Sequence, residues 1–234
     1  MWDDRAVSEV VGFILVFAII IGSVGILYVT GFGAMEDFQQ SEQSQNAERA
    51  MEALAENFDD IQRNDGVRYR AGELNLRGGT LATTDDGTNI TITAGSDPLW
   101  EGEVGSLTYD HEGTTIVYQG GAIIRDDPSG ERIARPPAIR CTDEEEPRAV
   151  ISLLVIDEDE SDVSITSASS QEVTADRGEG DVEVYRTEDN VSVSADGGPY
   201  EDLWNDAFAA GGLDNCDGDA TSTIRITTIS LEAS

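Results

Sequence analysis

The residues of this chain that could serve as nucleophiles, general bases or metal ligands are few. The single histidine, His111, lies in a predicted turn, whereas a Ser-His-Asp triad needs its histidine fixed beside the nucleophile. The sequence contains no GxSxG elbow, no phosphate-binding loop and no GxGxxG fingerprint. Zinc would need about four Cys, His or acidic ligands at suitable spacing. The sequence therefore predicts that the protein is not an enzyme and that it holds no cofactor or metal.

Acidic clusters raise calcium binding as an alternative chemistry. The clusters are Glu144–Glu146, Asp157–Glu160 and Asp214–Asp219. None of them has the spacing of an EF-hand loop, which places its glycine and its bidentate glutamate at fixed positions. Because the chain carries 47 Asp and Glu residues, clusters of this kind arise by chance, and we predict no calcium site.

Two further residue patterns could carry a modification or a cross-link if the chain is exported. Asn89 and Asn190 each begin an Asn-x-Ser/Thr sequon, which makes them candidates for N-glycosylation. Cys141 and Cys216 would remain two buried thiols in a cytosolic protein but would form a disulfide in an exported one. That disulfide would close a loop of about 75 residues and contribute on the order of 4 kcal/mol.

The apolar run near the N-terminus decides the question of export. Val10–Met35 contains no charged residue over 26 positions, and a helix needs about 20 residues to cross a bilayer. Arg5 precedes the run and the next arginine is Arg49, which favours a cytoplasmic N-terminus and an external C-terminal part. A secretory signal cleaved near Thr30–Ala34 is the alternative, although its apolar core would be only about 7–15 residues long.

The residues around the start of this run resemble a known processing signal. Arg5-Ala6 followed by VSEVVGF (residues 7–13) resembles the class III signal of archaeal type IV pilins and archaellins. The segment RAVSEVVGF followed by NAERAMEALAENFDDI also looks like an uncharacterised haloarchaeal group of pilin-like single-pass proteins. The resemblance implies that a prepilin-type peptidase cuts between Ala6 and Val7. The retained run would then be a membrane anchor and later the packed core of a filament.

Glu9 departs from the pattern of that family, whose members commonly carry proline at this position. Bacterial pilins place a glutamate two positions further on, where this chain has Val11. A carboxylate costs roughly 2.5–3.5 kcal/mol at the centre of a bilayer and less near its edge. Glu9 would either pair with the new amino terminus of Val7 on a neighbouring subunit or reach the lipid headgroups.

Beyond the apolar run, the spacing of apolar residues predicts that the helix continues towards Ile61. A helical stripe two heptads long is formed by residues spaced 4, 3, 4 and 3 apart, which are Ala47, Met51, Leu54, Phe58 and Ile61. This stripe would pack on the chain's own head or contact a partner subunit.

After Gly66 the pattern becomes that of β-strands. Thr80–Thr93 predicts a hairpin with an Asp86-Gly87 turn, and Ser106–Tyr118 predicts a second hairpin around Glu112-Gly113. Ala149–Ile156 is continuously apolar, as in a central strand. The polar segment Asp126–Pro147 predicts a long loop or linker.

About eight to ten short strands in all favour an antiparallel sandwich. Tyr200–Ala210 interrupts the strand pattern with a short amphipathic helix that Gly211 would end.

The charge balance is strongly acidic, with a net charge of −33, 14 arginines and no lysine. Self-repulsion destabilises such a compact fold in dilute buffer, whereas the Debye length falls to about 3 Å near 1 M salt. An acidic surface with arginine in place of lysine resembles the proteins of halophilic archaea. The absence of a basic patch argues against nucleic acid as a partner.

Together these patterns predict an α+β protein with a long N-terminal helix and an antiparallel β-sandwich-like head. Its parts would be a class III leader (1–6), a transmembrane or filament-core helix (7–35), a helical stalk (36–64) and an extracellular β-rich head (65–234).

The resulting hypothesis is a pilin-like, membrane-anchored surface protein that is a structural or adhesive subunit of an archaeal type IV pilus-like assembly. Its partners would be the membrane, a prepilin-type peptidase, and copies of itself or other pilin-like subunits. The alternative is a single-pass surface protein that does not assemble and whose ectodomain binds a ligand or an envelope component.

Overall fold

The computed structural model describes residues 4–142, 146–157, 160, 161, 163–213, 216 and 220–234, without the side chains of residues 4–9, 29–40, 85 and 86. The chain divides into two compact units, of which the first ends at Ser44 and the second, here called the head unit, spans Gln45–Ser234. The boundary lies inside the segment 36–64 that was predicted as a stalk.

The secondary structure follows the predicted order of one long helix and then mostly strands. The elements are α1 (Asp4–Arg63), β1 (Tyr69–Asn75), β2 (Thr80–Ala94), β3 (Asp97–His111), β4 (Thr114–Gln119), β5 (Ala122–Asp127), β6 (Gly130–Arg135), β7 (Ala138–Cys141), β8 (Ala149–Ile156), β9 (Ser164–Thr166), β10 (Ser170–Asp176), β11 (Val182–Thr187), β12 (Val191–Asp196), α2 (Glu201–Ala210) and β13 (Ser222–Ala233).

The strands form two sheets in a sandwich-like arrangement. The first sheet has the order β1-β10-β13-β8-β7, with β11 also paired to β13, and the second has the order β12-β2-β3-β4-β5-β6, with β9 also paired to β2. All these pairs are antiparallel except β13 with β8, which are parallel. Parallel strands need a long crossover connection, and here the chain from β9 to α2 provides it. The predicted α+β class with a mostly antiparallel head is confirmed.

Two apolar clusters form the core of the head unit, and each takes residues from both sheets. The first cluster surrounds α1 and includes Leu107, Leu154 and Leu231. The second surrounds α2 and includes Val117 and Ile224. Long strands such as β13 alternate buried and half-buried residues along their length, as expected of strands with one face on a core.

The helical stripe packs inside the head unit. Its members Ala47, Met51, Leu54, Phe58 and Ile61 are at most 5% exposed. The Phe58 ring meets the Tyr118 ring edge-on, with centroids 5.1 Å apart. Of the two partners considered for the stripe, the chain's own head is the one observed. Residues 45–63 of α1 are therefore part of the head core.

The first predicted hairpin is wrong, whereas the second is confirmed. β2 runs without a turn from Thr80 to Ala94 along β3, and the pairing register shifts between Thr84 and Thr88. Gly87 lies in this bulge, where a Cβ atom would come within 2.4 Å of the Val104 carbonyl oxygen. An Asp-Gly pair is typical of turns, but pairing with β3 on both sides makes it a bulge here. The second hairpin turns at Glu112-Gly113 between β3 and β4, as predicted.

The predicted loop Asp126–Pro147 is also wrong, because it contains β6 and β7. Both strands are short and polar on one side, and each turns an isoleucine inward: Ile133 packs against the second cluster and Ile139 is buried in it. The central strand Ala149–Ile156 is confirmed as β8, which lies between β13 and β7. The helix predicted over Tyr200–Ala210 is confirmed as α2, which ends at Gly211.

Candidate functional site

One helical segment in the described part of the chain is long and apolar enough to cross a membrane. It is Val10–Tyr28, with a mean hydropathy of 2.9 and no buried residue. Its large side chains, among them Phe13 and Leu27, are each at least half exposed. Because exposed aliphatic surface on this scale is unfavourable in water, the segment needs an apolar environment that it does not obtain from its own fold.

The predicted processing and assembly residues lie just before this segment. The backbone of Ala6, Val7 and Glu9 is in the first turns of α1, and their side chains are outside the described residues. The structure therefore gives no contact for the Glu9 carboxylate.

The C-terminal end of α1 and the residues just after it are held by two arginines that are distant in the sequence. The buried Arg177 donates from Nη1 to the Ile61 carbonyl oxygen at 3.2 Å and from Nη2 to that of Asp65 at 2.8 Å. Arg225 donates to the Asp65 carboxylate at 2.6 Å, and this hydrogen bond and charge lower the pKa of Asp65. Cations at a helix C-terminus also offset the helix dipole. This arrangement anchors the end of the helix in the head unit.

A second group of arginines borders the same helix on its β5–β6 side. A polar groove of about 520 Å³ is lined by Gln45, Glu48, Arg49, Glu52, Arg125, Asp127 and Arg132. Arg125 binds Glu48 at 3.2 Å and Asp127 at 2.7 Å, while Arg132 binds Glu48 at 2.8 Å. The pKa of Asp127 is lowered, first by the Ser129 hydroxyl and then by Arg125.

About three turns further along α1 than Glu48, Asp59 accepts hydrogen bonds from Arg63 and Arg135, each at 2.6 Å. The charges that line the groove therefore largely satisfy one another. We interpret the groove as a set of ion pairs that fix α1 to the strands. Sequence reasoning missed this role, although Glu48 and Asp59 lie beside the stripe at helical spacing.

The head unit also carries an apolar groove of about 530 Å³ between β6, β7 and α2. Its lining consists of Ile133, Pro136, Pro137, Ile139, Asp206, Ala207, Ala210 and Gly211. Apolar concave surfaces of this size are typical of ligand sites. The sequence did not indicate it, because its walls come from segments about 70 residues apart.

The two cysteines lie next to this groove. Cys141 at the end of β7 and Cys216 after α2 are joined by a disulfide with an S–S distance of 2.10 Å and a Cα–Cα distance of 5.6 Å. The Cys141 amide also donates to the Gly211 carbonyl oxygen at 2.7 Å. The disulfide pairing proposed from the sequence is thus present, and it ties the chain after α2 to the edge of the first sheet.

The remaining candidate residues are dispersed over the head unit. His111 lies 3.8 Å from the Glu112 carboxylate in the β3–β4 hairpin. Asn89 lies within β2, and Asn190 precedes β12. Of the acidic clusters, residues 143–145, 158–159, 214, 215 and 217–219 are outside the described residues. Among those described, no group of three or more His, Cys, Asp or Glu side chains could hold a metal ion.

The charge balance leads to a prediction about salt. At about 0.1 M salt the Debye length is about 10 Å, and near 1 M it is about 3 Å, so the repulsion within a chain of net charge −33 is screened only in the second case. Ion pairs near the surface contribute only about 0–1 kcal/mol each, so their loss at high salt is the smaller effect. We expect the thermal midpoint of the head unit to rise with NaCl concentration. Melting curves at both NaCl concentrations measure this midpoint, and sucrose serves as an uncharged control. A rise in NaCl no larger than the rise in sucrose would contradict the prediction.

Comparison with known proteins assigns the chain to a family without assigning a function. No curated protein and no solved structure matches the chain significantly. The family DUF7289, a family of unknown function, matches residues 5–231. This match runs from the first turn of α1 into β13 and so includes the apolar segment and both sheets. The chain is therefore a member of the DUF7289 family.

Proposed function

We propose that the protein is a pilin-like, membrane-anchored surface protein that acts as a structural or adhesive subunit of an archaeal type IV pilus-like assembly. The observation that carries the proposal is the segment Val10–Tyr28, which is apolar on every face and has no buried residue. In a membrane its surface is covered by lipid, and in a filament it is covered by the same segment of neighbouring subunits.

The position of this segment after Arg5-Ala6-Val7 supports processing by a prepilin-type peptidase. The residues that resemble the class III signal end at Phe13, inside the apolar segment. Cleavage between Ala6 and Val7 would remove the short charged leader and retain the apolar helix. The N-terminus would be cytoplasmic before cleavage and the head unit would be extracellular, in agreement with Arg5 as the only basic residue before Arg49.

The mass of the N-terminal peptide tests the processing step. Digestion after arginine of the membrane-extracted protein yields Val7–Arg49 from a processed chain and Ala6–Arg49 from an unprocessed one. We expect the shorter peptide. A peptide beginning at Ala6, together with Met1–Arg5, contradicts processing, and a peptide beginning at Met35 identifies the apolar run as a discarded signal.

Substitution of Glu9 tests how subunits would join. If its carboxylate pairs with the Val7 amine of a neighbouring subunit, Glu9→Ala leaves that amine unpaired in an apolar surrounding, which is costly. We expect Glu9→Ala to lower the amount of the protein in sheared surface filaments at unchanged membrane level, and Ser8→Ala to leave it unchanged. Equal incorporation of both variants contradicts the pairing.

A second candidate function is favoured by the apolar groove of the head unit. A single-pass surface protein that does not assemble would use this groove for a ligand or an envelope component. Shearing separates the two candidates, because a filament subunit is released with fibres whereas an isolated anchor stays with the membrane. Absence of the chain from the sheared material supports the second candidate.

A further inference from the structure

The two sequons occupy different environments in the head unit. Asn89 lies inside β2, where it pairs with Glu103 of β3 on one side and Asp196 of β12 on the other. Its Oδ1 atom is buried and has no hydrogen-bond partner among the described residues. A glycan on the amide nitrogen of Asn89 would have to leave the sheet through a half-buried position between two strands.

Asn190 is exposed and lies outside the strands. It belongs to the short connection between β11, which ends at Thr187, and β12, which begins at Val191. Its carbonyl oxygen accepts a hydrogen bond from the Gly95 amide at 2.8 Å, so its backbone is fixed while its side chain faces solvent. An exposed loop asparagine is the usual acceptor of an N-linked glycan.

Asn190 also precedes an edge strand that is only partly covered. Among the described residues, β12 pairs with β2 alone. On its open side, Asn205 of α2 accepts from the Ala195 amide at 3.0 Å and donates to the Ala195 carbonyl at 3.1 Å. Along an antiparallel strand, the N–H and C=O groups of every second residue point to the same side. Those of Val191 and Val193 therefore point to the same side as those of Ala195. Val191 is only 1% exposed, so the fold already covers it. Val193 is half-buried and makes neither of the Asn205 hydrogen bonds, so the open part of this edge is at Val193.

We propose that Asn190 is N-glycosylated, that Asn89 is not, and that the glycan covers the β12 edge at Val193 against pairing with another chain. Unpaired strand edges invite such pairing unless a protein blocks them. This inference rests on the proposed function, because it requires an extracellular head unit.

The modification is a group transfer from a membrane lipid that carries a glycan through a phosphate ester. The Asn190 Nδ2 atom forms a bond to the anomeric carbon of the first sugar as the bond from that carbon to the phosphate oxygen breaks. The lipid phosphate leaves with the electron pair, and the amide nitrogen loses one proton to a base of the transferase.

Peptide mapping of the full chain from its membrane separates the two sequons. Cleavage after arginine places Asn89 in the peptide 78–125 and Asn190 in the peptide 187–225. We expect a glycan mass on the second peptide and none on the first. Asn190→Gln and Ser192→Ala should each remove that mass, whereas Ser192→Thr, which keeps the sequon, should retain it.

Digestion of the same intact cells with an external protease shows whether the head unit is extracellular. An accessible head without a glycan on Asn190, or with one on Asn89, overturns the inference and leaves the proposed function standing. An inaccessible head overturns both.

Edge protection is measured by sedimentation of the detergent-extracted Asn190→Gln and Ser192→Thr variants. The first is expected to form larger species with rising concentration, unlike the second. Identical sedimentation of the two variants overturns the shielding role.

Discussion

A head that begins at residue 65 is expected to remain unfolded under conditions in which a head that begins at Gln45 folds. The shorter chain lacks four large buried side chains, which are Met51, Leu54, Phe58 and Ile61. Burial of a large apolar side chain contributes about 1.5–3 kcal/mol, and a whole domain is stable by only about 5–15 kcal/mol. Circular dichroism and amide-proton NMR of residues 45–234 and 65–234 at high salt would measure the difference.

Point variants of the longer head unit give a graded form of the same test. Phe58→Ala removes the ring that meets Tyr118 and is expected to cost about 3–5 kcal/mol of unfolding free energy. Glu56→Ala, on the exposed side of the same helix, is expected to change the unfolding free energy by less than about 0.5 kcal/mol. A folded head of residues 65–234, or equal stability of the two point variants, would show that the stripe does not belong to the core.

Loss of the disulfide is expected to have the second-largest effect. The bond joins residues 75 positions apart in the sequence, and removal of a cross-link that closes a loop of this length costs on the order of 4 kcal/mol in the chain-entropy model. We expect the Cys141→Ala/Cys216→Ala variant of the head unit to unfold at a markedly lower denaturant concentration than the oxidised protein. Equilibrium unfolding in urea at constant high salt gives this difference.

The reduced wild-type head unit is the matched control for this variant. It keeps both sulfur atoms and differs from the oxidised protein only in the cross-link, so its midpoint should fall close to that of the double variant. A midpoint that reduction leaves unchanged would mean that the packing of Cys216 and its neighbours, not the bond, holds the segment after α2. The same conclusion would follow if the Cys141→Ala/Cys216→Ala variant were strongly destabilised and the reduced wild-type head unit were not.

The ion pairs around α1 explain why arginine is placed where it is in so acidic a chain. Arg125, Arg132 and Arg135 on β5 and β6 all bind acidic groups of α1, and Arg177 binds the Ile61 carbonyl oxygen near its C-terminus. Because 14 arginines cannot offset 47 acidic residues, we expect the fold to depend on salt. The arginines thus oppose self-repulsion mainly where the helix enters the core.

The elements that sequence reasoning identified well have a local, repeated signal. The stripe from Ala47 to Ile61 and α2 show a helical period of apolar residues, whereas the apolar run and the strand Ala149–Ile156 are continuous apolar stretches. Both kinds of signal are carried by the element's own residues. The hairpin at Glu112-Gly113 also has a local signal, because glycine is typical of two-residue turns. Both turn residues have the positive φ that such a turn requires.

The misassigned elements depend on neighbours that are distant in the chain. Asp86-Gly87 has the composition of a turn, but pairing with β3 on both sides makes it a bulge. The segment Asp126–Pro147 is polar enough for a loop, yet β5 and β8 each offer it an edge to pair with. In both cases backbone hydrogen bonds to a partner strand outweigh a weak local preference.

By itself, the sequence determined that the chain has an apolar segment long enough for a bilayer, an acidic surface, a β-rich part and two cysteines suited to a disulfide. These properties follow from composition and from periods shorter than about eight residues. The tertiary structure alone decided that the stripe packs within the head, that distant arginines hold α1, and that Asn190 rather than Asn89 is exposed. Such properties depend on contacts like that of Arg177 with Ile61, which are 116 residues apart. Such residues come together only when the whole chain folds, so no local sequence pattern indicates their contact.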